Sequence, residues 1–496
     1  MARAVILLFG AGTALLLVPV PHQGTGGPEF TPVQPELFSA PGAQPNAWAD
    51  FDNDGDLDLF VGFRGARNRL YRNDGGRFTD VAGLVGVDDL PETRAVAWGD
   101  YDRDGDLDLY VGFAGPDSTG NRLYRNDANG RRFTDVAPRY GLNVVGVTRQ
   151  PAWVDYDNDG DVDLFVAFRD QPNRLFRNDG DTFTDVTVAS GIGDPRRTVG
   201  VAWFDMDQDG DLDAFVANQD GDEDGMFRND GGLFTDVAPV LGMHQPGRAS
   251  DHGSVGPAVT DYDNDGDLDV FVATYGPDVL WQNQGNGRFT EVARGTALSG
   301  DYHSTTAAFG DYDNDGWDDL YVVSYLANER EAPDHVFRNV KGAFADVTPR
   351  AVLEWGASHG VTWADYDGDG DLDLALANNH AQGRHMLYRN DLPPAAGRSV
   401  FVRVLDADGR HTRAGSEVRL FDAATGRALG ARLVDSGGGY CSHGATPVHF
   451  GLQPGVDRVR VRVTVMTRAG RRDVEIPDVA PELLPARTLE ARAPRR

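Results

Sequence analysis

Nine residues constrain this chain more than any other stretch: Asp50-Phe51-Asp52-Asn53-Asp54-Gly55-Asp56-Leu57-Asp58. They read D-x-D-x-D-G-D-x-D, and six further copies begin at Asp100, Asp155, Asp205, Asp261, Asp311 and Asp365. First start to last is 315 residues over six intervals, a mean period of 52.5. Self-similarity at such a period predicts a repeat architecture, so one large domain replaces the two to four that 496 residues would otherwise suggest. Carboxylates at alternate positions converge when the chain wraps round one point, and the Gly permits the sharp turn. That is how a loop builds an oxygen cage for a hard cation such as Ca²⁺.

The expected metal ligands follow position by position, with side chains at positions one, three, five and nine and the backbone carbonyl at seven. The first loop supplies Asp50, Asp52, Asp54, Asp56 and Asp58, and the second Asp100, Asp102, Asp104, Asp106 and Asp108. The third supplies Asp155, Asp157, Asp159, Asp161 and Asp163, and the fourth Asp205, Asp207, Asp209, Asp211 and Asp213. The fifth supplies Asp261, Asp263, Asp265, Asp267 and Asp269, and the seventh Asp365, Asp367, Asp369, Asp371 and Asp373. The sixth tests the assignment. It keeps Asp311, Asp313, Asp315 and Asp319 and places Trp317 at the seventh position, where only a carbonyl is needed. About seven Ca²⁺ sites are expected. No catalytic or organic-cofactor residues are assigned.

An EF-hand begins the same way but needs a bidentate Glu at position twelve. Here that position holds Val61, Val111, Val166, Val216, Val272, Val322 and Leu376, and the flanks are short and β-rich rather than helical.

Charge follows the loops. The net charge is −31, and of 77 acidic residues 35 lie in the seven loops, leaving 42 acids against 46 bases elsewhere. Seven Ca²⁺ would bring the total to −17. Nucleic acid is excluded as a partner, because no basic stripe offsets this field. The single cysteine, Cys441, rules out an intramolecular disulfide and reads as a small residue in a turn. The apolar run from Ala4 to Val18 has the length of a signal-peptide core and is short for a membrane span. Residues 1–27 are therefore expected to be a leader on a secreted, extracellular or periplasmic chain with no membrane span once mature.

Each period carries four strand-like pieces, as in Ala95–Trp98, Leu107–Val111, Asn121–Asn126 and Arg132–Val136. Seven such units predict an all-β fold, a seven-bladed β-propeller over residues 28–392. The fourth strand, F-T-D-V or a variant, occurs at Phe78, Phe133, Phe183, Phe234, Phe289 and Phe344, six times for seven blades. The missing copy stands at the other end of the chain as Phe30-Thr31-Pro32-Val33, so the N-terminal strand is expected to complete the last blade and close the ring. Trp48, Trp98, Trp153, Trp203 and Trp363 precede the loops by two residues and read as packing between blades; Trp317 and Trp355 fall outside this stripe. His252, His303 and His359 precede the first strands of blades five to seven, and Arg94, Arg149 and Arg197 hold similar places in blades two to four. Together they could rim one channel mouth, holding an anion or, through the histidines, a transition metal. Solvated loop residues are the plainer reading. Residues 393–398 read as a Pro-rich linker, and the alternating runs beyond it as a small β-sandwich-like domain over 399–492.

The loops with their F-V and F-T-D-V strands resemble FG-GAP/VCBS repeats and are similar to the calcium loops of integrin α-chain propellers. Arg413–Val418, Ser436–Tyr440 and Val448–Leu452 resemble the ASPIC/UnbV domain. Together they resemble the secreted cartilage acidic protein-like family. The family's usual W-P-S-G turn is replaced by Met466–Gly470, and no R-G-D occurs. The resemblance implies a secreted calcium-binding propeller that acts as a binding or adhesion scaffold for an extracellular protein or glycan, expected as a monomer. A propeller enzyme acting on extracellular polysaccharide and a surface structural protein are the alternatives. No H-E-x-x-H and no carboxylate pair outside the loops favours the enzyme.

Overall fold

A computed structural model describes residues 28–493, apart from 115–118, 286, 326–332, 350–351, 353–357, 381–382, 394–397 and 438. The expected leader, Trp355 and most of the expected linker lie outside the described residues.

Each repeat forms one four-stranded antiparallel sheet. In the first, the inner strand Ala43–Ala49 is followed by Asp58–Phe63, Arg69–Asn73 and Phe78–Asp80. The aspartate loop is the connection between inner and second strand. The inner and second strands are buried along their whole length, because neighbouring sheets cover both of their faces. The seventh sheet joins Ser358–Ala364, Asp373–Asn378 and Met386–Asn390 to Phe30–Pro32 from the other end of the chain. Phe30 stands opposite Asn390 as Phe78 stands opposite Asn73, so the N-terminal strand takes the register of every other outer strand.

The inner strands lie side by side in chain order, and Ser358–Ala364 lies against Ala43–Ala49. One hydrogen bond recurs at every junction. The Asn ending each third strand donates its Nδ2 to a loop carbonyl of the preceding sheet. Asn126 donates to Phe51, Asn178 to Tyr101 and Asn229 to Tyr156, each at 2.8 Å. Asn283 reaches Met206 at 3.2 Å, Asn339 reaches Tyr262 at 2.8 Å, and Asn390 reaches Tyr312 at 2.7 Å. Asn73 makes the same bond to Tyr366 at 2.8 Å, joining the first sheet to the seventh. The tryptophans before the loops are packing residues, from 0% exposed at Trp48 and Trp203 to 9% at Trp363. Several also tie sheets together, as when Trp48 Nε1 donates to Thr362 Oγ1 at 3.0 Å. Short helical turns such as Ala82–Val85 follow four of the outer strands, and elements of four residues are too short to show a helical period in the sequence.

The tail folds into a three-stranded sheet (Val448–Gly451, Ser399–Leu405, Thr488–Arg492) and a four-stranded one (Ala428–Leu433, Glu417–Asp422, Val459–Val465, Arg472–Val479). Val400, Val402 and Val404 of the first share a core with Val418, Leu420 and Val461 of the second, which makes a sandwich. A loop from this sandwich enters the propeller axis. Its Ser442–Gly444 segment pairs in parallel with Asn46, Ala47 and Trp48. Ser436 accepts from Trp153 N at 2.8 Å, and Gly439 bridges to Val201. Gly360 makes room for it: a Cβ there would meet the Cys441 carbonyl at 2.3 Å. Cys441 stands at a bend of this axial plug, with φ 56°, and is buried there. Among the described residues, no helix is long and apolar enough to cross a membrane.

If the junction bonds hold the ring, Asn73→Ala orphans the Leu57 and Tyr366 carbonyls. It should cost roughly 1–3 kcal/mol per carbonyl in a denaturant melt. A loss below about 0.5 kcal/mol would show that the junction does not depend on it.

Candidate metal centres

Position four of each aspartate loop takes a left-handed backbone: Asn53 (φ 58°), Arg103 (62°), Asn158 (57°), Gln208 (63°), Asn264 (57°) and Asn314 (56°), with Gly368 (74°) in the seventh. The Gly at position six does the same, for example Gly55 at 100° and Gly160 at 111°. Two such residues in five curl the chain round its own carboxylates. Asp50, Asp52 and Asp58 then offer oxygens within 4.8 Å of one another. The same is true of Asp100, Asp102 and Asp108, of Asp155, Asp157 and Asp163, of Asp205, Asp207 and Asp213, and of Asp261, Asp263 and Asp265.

The ninth-position Asp is fixed by backbone. Asp58 Oδ1 accepts from Asn73 N at 2.8 Å and Oδ2 from Phe51 N at 3.1 Å. The first-position Asp50 accepts from Asp54 N and Gly55 N. The fifth-position Asp54 accepts from Asp56 N at 2.9 Å, a local turn bond, and in the first four loops the fifth position stands outside the close group. The seventh-position side chain points away, to the neighbouring sheet. Asn53 Nδ2 donates to Asp106 Oδ1 at 2.8 Å, Asn158 to Asp211 at 2.8 Å, Gln208 to Asp267 at 2.6 Å and Asn314 to Asp371 at 2.9 Å. Arg103 makes the equivalent ion pair with Asp161. Where Trp317 replaces the Asp, Asn264 donates instead to the Gly316 carbonyl at 3.1 Å. Position seven is therefore a strap between loops. Its pairing with position four of the preceding loop was present in the repeats, but no local pattern marks a contact made about 50 residues away.

Electrostatics suits a cation. Buried carboxylate oxygens of Asp52, Asp100, Asp207, Asp313 and Asp319 have no hydrogen-bond partner. Unpaired buried acceptors of this kind are costly unless a positive charge meets them. Burial, opposed by backbone hydrogen bonds, pushes Asp58 and Asp269 up to about 9 from an ordinary 3.8. Burial, with the charges of Asp265 and Asp263 adding to it, pushes Asp261 up to about 8. Burial likewise raises Asp100 and Asp365 to about 7.

The loops are not equal. In five sheets the Arg before the junction Asn pairs with an Asp two residues on, as Arg72 does with Asp74 at 3.0 Å. In the sixth that place is Val340, and Arg338 turns into the loop, to 2.6 Å from Asp313 and 3.0 Å from Asp315. In the fourth, Arg471 of the tail reaches Asp205 at 2.6 Å and Glu417 at 2.6 Å. In these two loops a protein cation meets carboxylates of the acidic group, and Arg468 of the tail also stands 3.8 Å from Asp159 of the third. The tail docks on this face at other loops too. Ala431 N donates to Asp261 Oδ2 at 3.1 Å, Ser399 Oγ to the Gly370 carbonyl at 2.7 Å, and Arg432 pairs with Asp318 at 2.6 Å.

The histidine and arginine set at the opposite end divides. His359 is buried and accepts from Arg94 Nη1 at 2.9 Å, whereas His303 stacks on Tyr275 at 4.0 Å and Arg197 pairs with Asp220 and Asp222. His385 is buried and bonded to the Tyr71 hydroxyl at 2.8 Å, a packing role. The chain carries one G-x-S-x-G string, Gly356-Ala357-Ser358-His359-Gly360. Its Ser358 lies within an inner strand and donates to Asp334 at 2.6 Å, as Ser304 donates to Asp278 at 2.7 Å and Ser254 to Asp224 at 2.7 Å. It is a structural contact shared by the fifth, sixth and seventh sheets and not a nucleophile on a strand-to-helix elbow.

Four-stranded sheets repeated round an axis, with a carboxylate loop at the same corner of each, define a β-propeller of acidic-loop repeats. The family model described as FG-GAP-like repeat matches residues 50–111, 113–166, 155–216, 205–272, 261–322 and 324–376, and the chain belongs to that family. Cartilage acidic protein 1 of Homo sapiens is 25% identical over 250 residues, and that of Mus musculus 26%. Each match spans 46% of this chain and 35% of the relative, so the chain matches about a third of the length of these relatives. Among solved structures, BBS1N in complex with ARL6DN aligns over 75% of this chain and 99% of that one, with 13% identity and a TM-score of 0.46.

Two outcomes are expected. In metal-stripped protein the raised carboxylates favour the protonated folded state, so their stability is full below the unfolded value near 3.8 and is lost as pH rises through about 7 to 9. The melting temperature should fall across that window, and with saturating metal the trend should reverse, since the ligands must be ionised. Val340→Asp should draw Arg338 out of the sixth loop and add or tighten one site in a calcium titration. An unchanged isotherm would mean Arg338 does not compete.

Proposed function

We propose that this protein is an extracellular binding scaffold whose propeller is loaded with Ca²⁺. The carrying observation is the recurrence of buried carboxylate oxygens that lack any partner inside loops of one geometry. All the donors are oxygens, the set preferred by hard cations, and millimolar extracellular calcium suits sites of modest affinity. The first-, third- and ninth-position aspartates would hold the ion, with the fifth-position side chain and seventh-position carbonyl completing the cage. Bound ions would offset the repulsion among the loop carboxylates and add their binding energy to folding.

On this reading residues 28–392 are the propeller and 399–492 an ASPIC/UnbV-like domain seated on its loop face. Secretion is part of the same reading, supported by the apolar N-terminal run and by the relatedness to cartilage acidic protein 1. Scaffolding is preferred to catalysis because the acidic groups gathered here serve loop geometry, and Ser358 is committed to Asp334. The partner is an extracellular protein or glycan.

Elemental analysis should find calcium at several equivalents per chain, and chelation should lower the melting temperature by many degrees. An unchanged melting curve after chelation would remove the structural role of calcium. Arrays of glycans and matrix proteins, probed with and without calcium, should then give calcium-dependent binders; none on either array would favour a purely structural protein.

A further inference from the structure

The tail's plug enters the propeller axis from the loop face, and its tip, Tyr440-Cys441, reaches the far end of the inner strands. There Arg94 Nη1 donates to the Tyr440 hydroxyl at 3.0 Å and meets His359 at 2.9 Å. The other arginines at this end have carboxylate partners. Arg94 pairs with Glu92 at 2.8 Å and Arg64 with Glu92 at 3.5 Å. Arg169 pairs with Asp220 at 2.8 Å, and Arg197 with Asp222 at 3.6 Å.

Arg149 differs from all of these. It projects from the inner strand of the third sheet, is only 7% exposed, and its buried Nη1 has no hydrogen-bond partner. Among the described residues no carboxylate pairs with it. Burial lowers its pKa, and of the neighbouring charges Tyr440 opposes this while Arg94 and Arg169 add to it. His359 cannot compensate: burial, then Arg94 and Arg149, hold it neutral. A buried, unpaired guanidinium is among the more costly arrangements a protein can keep, and such groups are paired, neutralised or matched by a ligand. Arginine does not neutralise readily.

We propose that this end of the axis is a binding site for one carboxylate group, received by Arg149 beside the Tyr440 tip. Arg94 and the solvent-facing Arg64 share Glu92, and among the described residues Arg149 has no carboxylate of its own, so one carboxylate group supplies the partner that this guanidinium lacks. The planar fork of Arg149 matches a carboxylate with two parallel N–H bonds. Tyr440 clusters with Val199, Val255 and Tyr275, an apolar and aromatic surround that suits an organic acid better than a doubly charged, strongly hydrated phosphate. The carboxylate could belong to a free small acid or to the terminal uronate of an acidic glycan. The site lies at the opposite end from the aspartate loops and does not depend on what they bind.

The test is calorimetric titration of the full chain in calcium buffer with acetate, glucuronate, a short oligouronide and inorganic phosphate at matched ionic strength. One carboxylate per chain should bind, at about millimolar or tighter. Response to acetate points to a free acid, and response to the oligouronide alone to a glycan end. Arg149→Gln should weaken binding by at least about tenfold, and Arg149→Lys, a point charge without the fork, should keep part of it. Without ligand, Arg149→Gln should melt no lower than the parent, because it removes an unpaired buried charge. Absence of binding by all the carboxylates, equal binding by Arg149→Gln, tighter binding of phosphate, or a sharply lower melting temperature for ligand-free Arg149→Gln would each overturn the assignment.

Discussion

Repulsion among aspartates gathered in half-buried loops is the constraint on which the rest of this molecule turns. Thirty-five of them stand in seven loops at one face of the propeller. Burial raises the cost of each charge and like neighbours raise it again. The fold meets that cost in several ways at once. Backbone amides fix the first and ninth positions, as Asn73 N and Phe51 N do for Asp58. Side-chain amides from the preceding loop hold the seventh position. Arginines enter the fourth and sixth loops. What these contacts leave over is a set of oxygens with no partner, in clusters that could hold a metal ion.

The tail domain belongs to the same electrostatic system. Arg432 and Arg471 carry its positive charge to Asp318 and Asp205, and its backbone meets Asp261. Its loop also runs down the axis, pairing with Asn46–Trp48 on one side and Val201 on another. A propeller axis lined by inner strands offers unpaired backbone groups, and the plug supplies partners for some of them. Docking and loop geometry are thereby coupled: a change in either the charge of the loops or the seating of the tail acts on the other.

Much of this was legible in the chain itself. Aspartate spacing, the β-rich flanks and the recurring F-T-D-V strand point to repeated four-stranded sheets, and the shortfall of one outer strand, six for seven blades, points to Phe30–Pro32. The observed register of Phe30 with Asn390 accords with that inference. The tryptophan stripe was legible for the same reason, since a bulky residue at a fixed place in every repeat must fill the same gap between sheets. Less legible were the differences between copies. Val340 in place of an Asp frees Arg338, yet only the three-dimensional path of that side chain brings it to Asp313 and Asp315. The histidines and arginines at or just before the starts of the inner strands look alike in sequence, and the structure separates a paired Arg197, a stacked His303 and an unpaired Arg149.

The sequence by itself determined the repeat, its strands and the local curl of each acidic loop. These depend on residues within one period, where alternation, turn chemistry and left-handed positions act over a few bonds. Tertiary structure alone decided which asparagine meets which neighbouring loop, that Ser442–Gly444 enters the axis and pairs with the first inner strand, and which charges are left without a counterpart. Those outcomes depend on distances between residues tens to hundreds of positions apart, and such distances exist only once the sheets have been arranged about a common axis.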